Sequence, residues 1–238
     1  MHEEFYVTQL SPYFIAFPNP YYADDGGLLA YGGDLSSKRL IAAYKRGIFP
    51  WYSEGDPILW WSPNPRLLLY PHQFRLRKSF RRVLRSGKFS VTFDQDFSTV
   101  IKQCASVPRK GQEATWIVPE MIESYTRLHK EGYAHSVEVY LEGSLVGGLY
   151  GLALGKAFFG ESMFSLVSDA SKVAFKALSD VLASRGYDFI DCQMKTDHML
   201  SLGAEIVPRE IFLSELAAAV EAPTQMGPWD DFHWVYKE

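Results

Sequence analysis

The sequence has only two cysteines in 238 residues, Cys104 and Cys192, far apart and in no C-x-x-C spacing. That excludes a disulfide framework and a zinc ribbon, and it fits a reducing compartment. Six histidines occur without H-E-x-x-H or H-x-H spacing, so no metal site is expected. No uncharged apolar run approaches membrane-spanning length, and the opening Met-His-Glu-Glu lacks the basic and apolar regions of a signal peptide. The chain therefore reads as cytoplasmic, with no membrane partner. Neither a G-x-S-x-G elbow nor a Walker A sequence is present, and G-G-D-L at 32–35 reads as a turn entering a helix.

One absence is local. Between Asp56 and Asp94 there is no acidic residue, while Arg66, Arg75, Arg77, Lys78, Arg81, Arg82, Arg85 and Lys88 supply eight cations. The net charge of the whole chain is nevertheless −4, so this segment is a basic island on an acidic protein. Within it Leu76, Phe80, Val83 and Leu84 fall at the spacing of a buried helical stripe, which leaves Lys78, Arg81, Arg82, Arg85 and Lys88 on the other faces. A merely solvated helix would normally interleave acids as i,i+4 partners. Their absence points to phosphate contacts.

What is plentiful is apolar: 47% of residues are hydrophobic, enough for a large core without staples. Residues 1–65 are rich in Gly, Pro and aromatics. They predict a small α+β domain with one helix, capped by Ser36 or Ser37 and stopped at Gly47, around a core of Trp51, Trp60 and Trp61. Residues 66–238 are more regular and predict a second domain. It contains strands at 67–70 and 89–93, a helix from Pro119 to Gly132, and an alternating strand at 135–141. Two further meander strands follow, turning at E-G-S and at Gly155-Lys156. A helix capped by Ser168 or Asp169 and stopped by Gly186 comes next, then the strand Y-D-F-I-D-C-Q-M, a short helix at 197–202, a strand at 205–207 and a helix from about 209.

Chemistry-bearing residues concentrate in two places. F-F-G-E-S-M-F-S sets the carboxyl of Glu161 among aromatic and thioether side chains, which is costly unless the group is paired or used. Strict alternation would put Glu161 on one face with Phe159 and Met163, and Phe158, Gly160 and Ser162 on the other. In I-D-C-Q, Asp191 and Gln193 share a face opposite Cys192. If the two strands are neighbours, two carboxyls and an amide meet beside a glycine that allows close approach to the backbone.

The order meander, helix, strand, short helix, strand, helix resembles the GNAT acyltransferase fold. That resemblance implies a pyrophosphate loop at S-L-V-S-D-A-S-K. Here the loop has neither glycine nor arginine and carries an aspartate, which argues against acetyl-coenzyme A as donor. In order along nearly the whole chain, G-L-L-A-Y-G-G-D-L, R-G-I-F-P-W, W-W-S-P-N-P-R, F-F-G-E-S-M-F-S, I-D-C-Q and S-L-G-A-E-I-V-P-R resemble the leucyl/phenylalanyl-tRNA–protein transferases. The family is similar in fold and donor to the Fem aminoacyl transferases of cell-wall synthesis.

The resemblance implies an enzyme without cofactor, and the chain is expected to act as a monomer. It would move Leu or Phe from aminoacyl-tRNA to proteins beginning with Arg or Lys, marking them for degradation by the bacterial N-end rule. By the same resemblance Asp191, Gln193 and Glu161 are catalytic. Leu149, Phe158, Gly160, Met163, Phe175, Leu178 and Ile190 form the aminoacyl pocket, with Leu178 where some relatives carry an aromatic. Trp51 and Trp116 would pack on the terminal adenosine, and Lys78, Arg81, Arg82, Arg85 and Lys88 would hold tRNA phosphates. Two alternatives stay open on the residues alone: a Fem-like enzyme acting on a cell-wall precursor, and a tRNA-binding module without catalysis.

Overall fold

The computed structural model describes residues 7–107 and 117–237. Its first part builds a small sheet from β1 (Thr8–Leu10), β2 (Leu28–Gly32), β3 (Phe49–Pro50) and β4 (Leu59–Trp61), in the order β1-β2-β4-β3. Between β2 and β3 runs helix α1 (Ser37–Tyr44). It starts where the Ser36 hydroxyl accepts the Arg39 N–H, and beyond its last residue, Tyr44, the chain turns away at Gly47, whose φ of +72° suits glycine. Of the three tryptophans, Trp60 is fully buried, with its indole N–H donating to the Gly32 carbonyl at 2.9 Å. Trp51 and Trp61 lie half-buried with ring centroids 5.6 Å apart.

The larger sheet is built from β5 (Arg66–Leu69), β6 (Phe89–Phe93), β7 (Ala134–Leu141), β8 (Ser144–Leu154), β9 (Ala157–Ser165), β10 (Phe189–Asp191) and β11 (Glu205–Val207). Its order is β11-β5-β10-β9-β8-β7-β6. β6 to β9 pair antiparallel in sequence, β10 runs parallel to β9, and β5 returns antiparallel beside β10. The helices are α2 (Lys78–Arg85), α3 (Phe97–Ser106), α4 (Pro119–Lys130), α5 (Ala170–Ser184), α6 (Asp197–Ser201) and α7 (Arg209–Ala219). Together these elements make a mixed α+β fold with a small four-stranded N-terminal sheet and a larger seven-stranded mixed sheet.

Apolar side chains leave the large sheet in two layers. On one face Leu68, Tyr150, Leu152, Phe159 and Phe189 pack with α3, α4, α7 and the core of the small sheet. On the other, Leu69, Leu149, Ala153, Phe158 and Ile190 pack with α2, α5 and the segment around Trp229. The α5 stripe read from the sequence is the buried one, and each large side chain in it contributes about 1.5–3 kcal/mol by leaving water.

Two departures from regular pairing create the site. β10 pairs with β9 only as far as Asp191 opposite Phe159, so the sheet splits beyond that point. At the split β9 also carries a bulge, since Tyr150 faces Ser162 while the next residue, Gly151, faces Gly160, leaving Glu161 unmatched. A Cβ on Gly151 would lie 2.2 Å from the Phe159 carbonyl oxygen, so the bulge needs glycine opposite it.

This bulge corrects the expected facing. Glu161 does share a face with Phe159, but Met163 turns to the opposite layer with Phe158, because the extra residue resets the two-residue period. Asp169, expected as a possible cap of α5, occupies the N-cap position with φ +71° but makes no capping bond. Its carboxylate pairs with Lys172 at 2.8 Å instead.

Candidate active site

Glu161 sits at the apex of the split. Its Oε1 accepts the Tyr44 hydroxyl at 2.7 Å and the Gln193 side-chain amide at 2.9 Å, and its Oε2 accepts the Tyr125 hydroxyl at 3.0 Å. The Tyr44 and Tyr125 hydroxyls also contact one another closely. Tyr44 is the last residue of α1, Tyr125 lies mid-way along α4, and Gln193 follows β10. Three distant segments thus converge on one carboxyl.

Burial pushes the Glu161 carboxyl up to about 7, opposed by donation from Tyr44 and Tyr125; the nearby Asp191 charge pushes it further up, and Gln193 opposes. Both phenols are held well above the usual tyrosine value, first by burial and then by the Glu161 charge.

Asp191 is fully buried and answers to Arg66. The guanidinium donates from Nε at 2.9 Å and from Nη2 at 2.6 Å, one bond to each carboxylate oxygen. The Gln193 main-chain N–H adds a third bond to Asp191 at 2.8 Å. Gln193 has φ +59°, a left-handed conformation that turns its side chain across the split to Glu161. Asp191 therefore fixes the backbone of Gln193, while Glu161 engages its amide.

Below the apex a pocket of about 430 Å³ opens between β8, β9, α5 and α6. Leu149, Gly160, Met163, Phe175 and Leu178 line it together with Glu161. Phe158 and Ile190 are fully buried in the layer behind and do not line it. The bulge is what lets Leu149 and Met163, paired across β8 and β9, present a common apolar wall. A Cβ on Gly160 would meet the Asp191 carbonyl at 3.6 Å, an ordinary contact, so the glycine keeps the wall low without being forced by crowding.

Trp51 packs in the small-sheet layer and is not part of the pocket lining, and Trp116 lies outside the described residues. Sequence reasoning missed Tyr44, Tyr125 and Arg66, as well as His198 and Thr196 at the pocket wall. Arg66 had been counted with the surface cations; it is 1% exposed. A P-N-P-R run entering a strand was the available signal that its arginine turns inward.

The other seven cations of the basic island are exposed. Lys78, Arg81, Arg82 and Arg85 lie on α2 and Lys88 just beyond it, with the Lys88 ammonium 4.7 Å from the centre of the Phe89 ring. Phe80 is buried beneath α2. It reaches the pocket wall through Phe74, whose ring centre is 6.5 Å from that of Phe80 and 6.1 Å from that of Phe175. The cationic face and the pocket are thus mechanically adjacent.

Among the described residues no three His, Cys, Asp or Glu side chains are grouped to hold a metal ion, and no helix is long and apolar enough to cross a membrane.

A split mixed sheet, with a carboxyl and an amide facing each other across the split above an apolar pocket, defines an acyl-group transferase. The leucyl/phenylalanyl-tRNA protein transferase model matches residues 68–217, and the model of that family's N-terminal domain matches residues 33–64. A transferase of this description from Solidesulfovibrio magneticus is 57% identical over 90% of this chain and 86% of its own length. Another, from Desulfatibacillum aliphaticivorans, is 55% identical over 90% and 92%. One from Dechloromonas aromatica is 56% identical over 87% and 88%. The chain belongs to the leucyl/phenylalanyl-tRNA protein transferase family. Solved structures are more distant; a ribosomal-protein-alanine N-acetyltransferase from Brucella melitensis is 12% identical over 62% of this chain and 99% of its own, with a TM-score of 0.34.

Proposed function

We propose that this enzyme takes Leu or Phe from charged tRNA and joins it to the N-terminal Arg or Lys of acceptor proteins, marking them for N-end-rule degradation in the cytoplasm. The observation that carries the reading is the pocket, an apolar wall closing on a hydrogen-bonded carboxyl in a chain of this family. Leu149, Met163, Phe175 and Leu178 select an uncharged side chain by shape, and unbranched Met163 adapts to either Leu or Phe. Phe158 and Ile190 support that wall from behind, and Gly160 leaves room for the ester. Trp51 and Trp116 are assigned to the terminal adenosine.

The chemistry is aminolysis of an ester. The ester is already activated, so neither ATP nor a metal is required, and positioning supplies much of the rate. Asp191, Gln193 and Glu161 form the reacting group. Gln193, its backbone fixed by Asp191, orients the acceptor amine, and Glu161 holds polar atoms of the substrate beside the pocket. Lys78, Arg81, Arg82, Arg85 and Lys88 bind acceptor-stem phosphates, which positions the tRNA without reading its sequence. Residues 1–65 act as a small domain that delivers Tyr44, residues 66–238 act as the catalytic domain, and the enzyme works as a monomer.

The test is transfer of radiolabelled Leu from Leu-tRNA to peptides that begin with Arg, Lys or Ala, without ATP or added metal. Label on the Arg and Lys peptides alone is the expected result. Label on none of them, or equally on all three, would sink the proposal.

A further inference from the structure

Building on that reading, we propose that Glu161 takes the proton from the attacking amine, and that Tyr44 and Tyr125 are positioning residues that close a hydrogen-bonded ring on the carboxyl once it is protonated. The inference rests on counting protons. Three oxygen pairs are in contact: Tyr44 with Glu161, Tyr125 with Glu161, and Tyr44 with Tyr125. Two phenols bring two protons, while three contacts need three. The third resides on Glu161, so when the carboxyl is protonated it accepts from one phenol and donates to the other, reversing one of the two donations that the carboxylate accepts, and the remaining phenol proton joins Tyr44 to Tyr125.

The neighbouring groups are poor proton acceptors. Both oxygens of Asp191 are committed to Arg66, inside a fully buried pair. The Gln193 amide has no atom basic enough to hold a proton near neutrality. The phenols keep their protons, since burial and the Glu161 charge hold both well above the ordinary tyrosine range. Glu161, hydrogen-bonded at the apex of the pocket and raised by burial to about 7, is the carboxyl left able to take a proton near neutrality. The groups facing it are Tyr44 from α1, Tyr125 from α4, Tyr150 from β8, Asp191 at the end of β10 with Arg66 of β5 behind it, Gln193, and His198 across the pocket.

The step balances. The amine lone pair forms the N–C bond to the ester carbonyl carbon, and the bond from that carbon to the ribose oxygen breaks, its electron pair leaving on the oxygen. The proton lost by nitrogen goes to the Glu161 carboxylate and closes the ring. One ring proton then passes to the ribose oxygen, which restores the carboxylate for the next turnover.

The experiment is steady-state transfer from saturating Leu-tRNA to an Arg peptide of varied concentration across neutral pH, with the wild type, Glu161→Gln, Tyr44→Phe and Tyr125→Phe. Glutamine keeps the ring's geometry because its amide can donate to one phenol and accept from the other. Glu161→Gln is expected to lower kcat by about 100-fold or more with KM little changed, and to abolish the inflection near neutrality. Each Tyr→Phe change opens the ring, so the inflection should shift away from its wild-type pH, with kcat recovering toward wild type above it. An intact Glu161→Gln profile, or Tyr→Phe losses that do not vary with pH, would overturn the proposal. Infrared difference spectra of wild type against Glu161→Gln need no substrate. A carboxylic-acid C=O band that is lost as pH rises through neutrality is expected, and its absence at low pH overturns the ring. A wild type that transfers nothing would defeat the aminoacyl-transfer reading, while the infrared titration would still decide the ring.

Discussion

Arg66 stands in the basic run of the sequence, yet its guanidinium lies over the rings of Phe49 and Phe212, 4.8 and 4.5 Å from their centres, with Nε and Nη2 both bonded to Asp191. A buried pair of this kind contributes modestly as a whole, but removing one partner strands the other charge. Arg66→Ala is therefore expected to cost about 3–5 kcal/mol in urea unfolding, well above the usual cost of a surface substitution. Asp191→Ala combined with Arg66→Ala should recover part of that loss, because the stranded charge is gone. A single-variant loss below about 1 kcal/mol would show that solvent reaches the carboxylate. Nothing near Arg66 in sequence reveals the pairing, since Asp191 is 125 residues away.

At the scale of elements, α2 separates what is local from what is not. Its register was legible because the spacing of Phe80, Val83 and Leu84 needs only its own helix to define it, and Phe80 and Leu84 are the buried positions, whereas Leu76, read as the first residue of the stripe, precedes the helix, which begins at Lys78. The ends of α1 and α4 were legible for the same reason: Ser36, Pro119 and the positive-φ glycines Gly47 and Gly132 act within one turn. The bulge at Glu161 was not, because it is imposed from β8, where Gly151 approaches the Phe159 carbonyl. An alternation rule applied to β9 alone therefore placed Met163 on the wrong face. The closure of Tyr44 and Tyr125 over Glu161 was hidden similarly, since each hydroxyl arrives from a different helix. For α2 the exposed cations lead to a prediction. Arg82→Ala should weaken Leu-tRNA binding at low salt and lower the slope of log K against log salt by about 1, while leaving the rate at saturating Leu-tRNA unchanged. A lost rate with an unchanged slope would remove α2 from the phosphate contacts. Filter binding over a salt series reads both.

For the whole molecule, the carboxyl suited to proton transfer should also be a weakness in the fold. Glu161 is raised from an ordinary 4.5 to about 7 in the folded chain, so between those values the folded state binds more protons than the unfolded one. Its stabilising contribution is complete below pH 4.5 and is lost as pH rises through about 7. Buried His135 works in the opposite direction: burial lowers it below 6.5, so the unfolded state protonates first and stability falls as pH drops under that value. Comparing wild type with Glu161→Gln cancels His135 and isolates the carboxyl. In denaturant unfolding the glutamine variant should gain on the wild type steadily from pH 4.5 upward, reaching about 3 kcal/mol above neutrality and then levelling off. The same substitution is the one expected to slow transfer, so stability and turnover would move in opposite directions in a single variant. A stability difference that stays flat with pH would mean that Glu161 is ionised throughout, and the phenols would then be ordinary donors to a carboxylate.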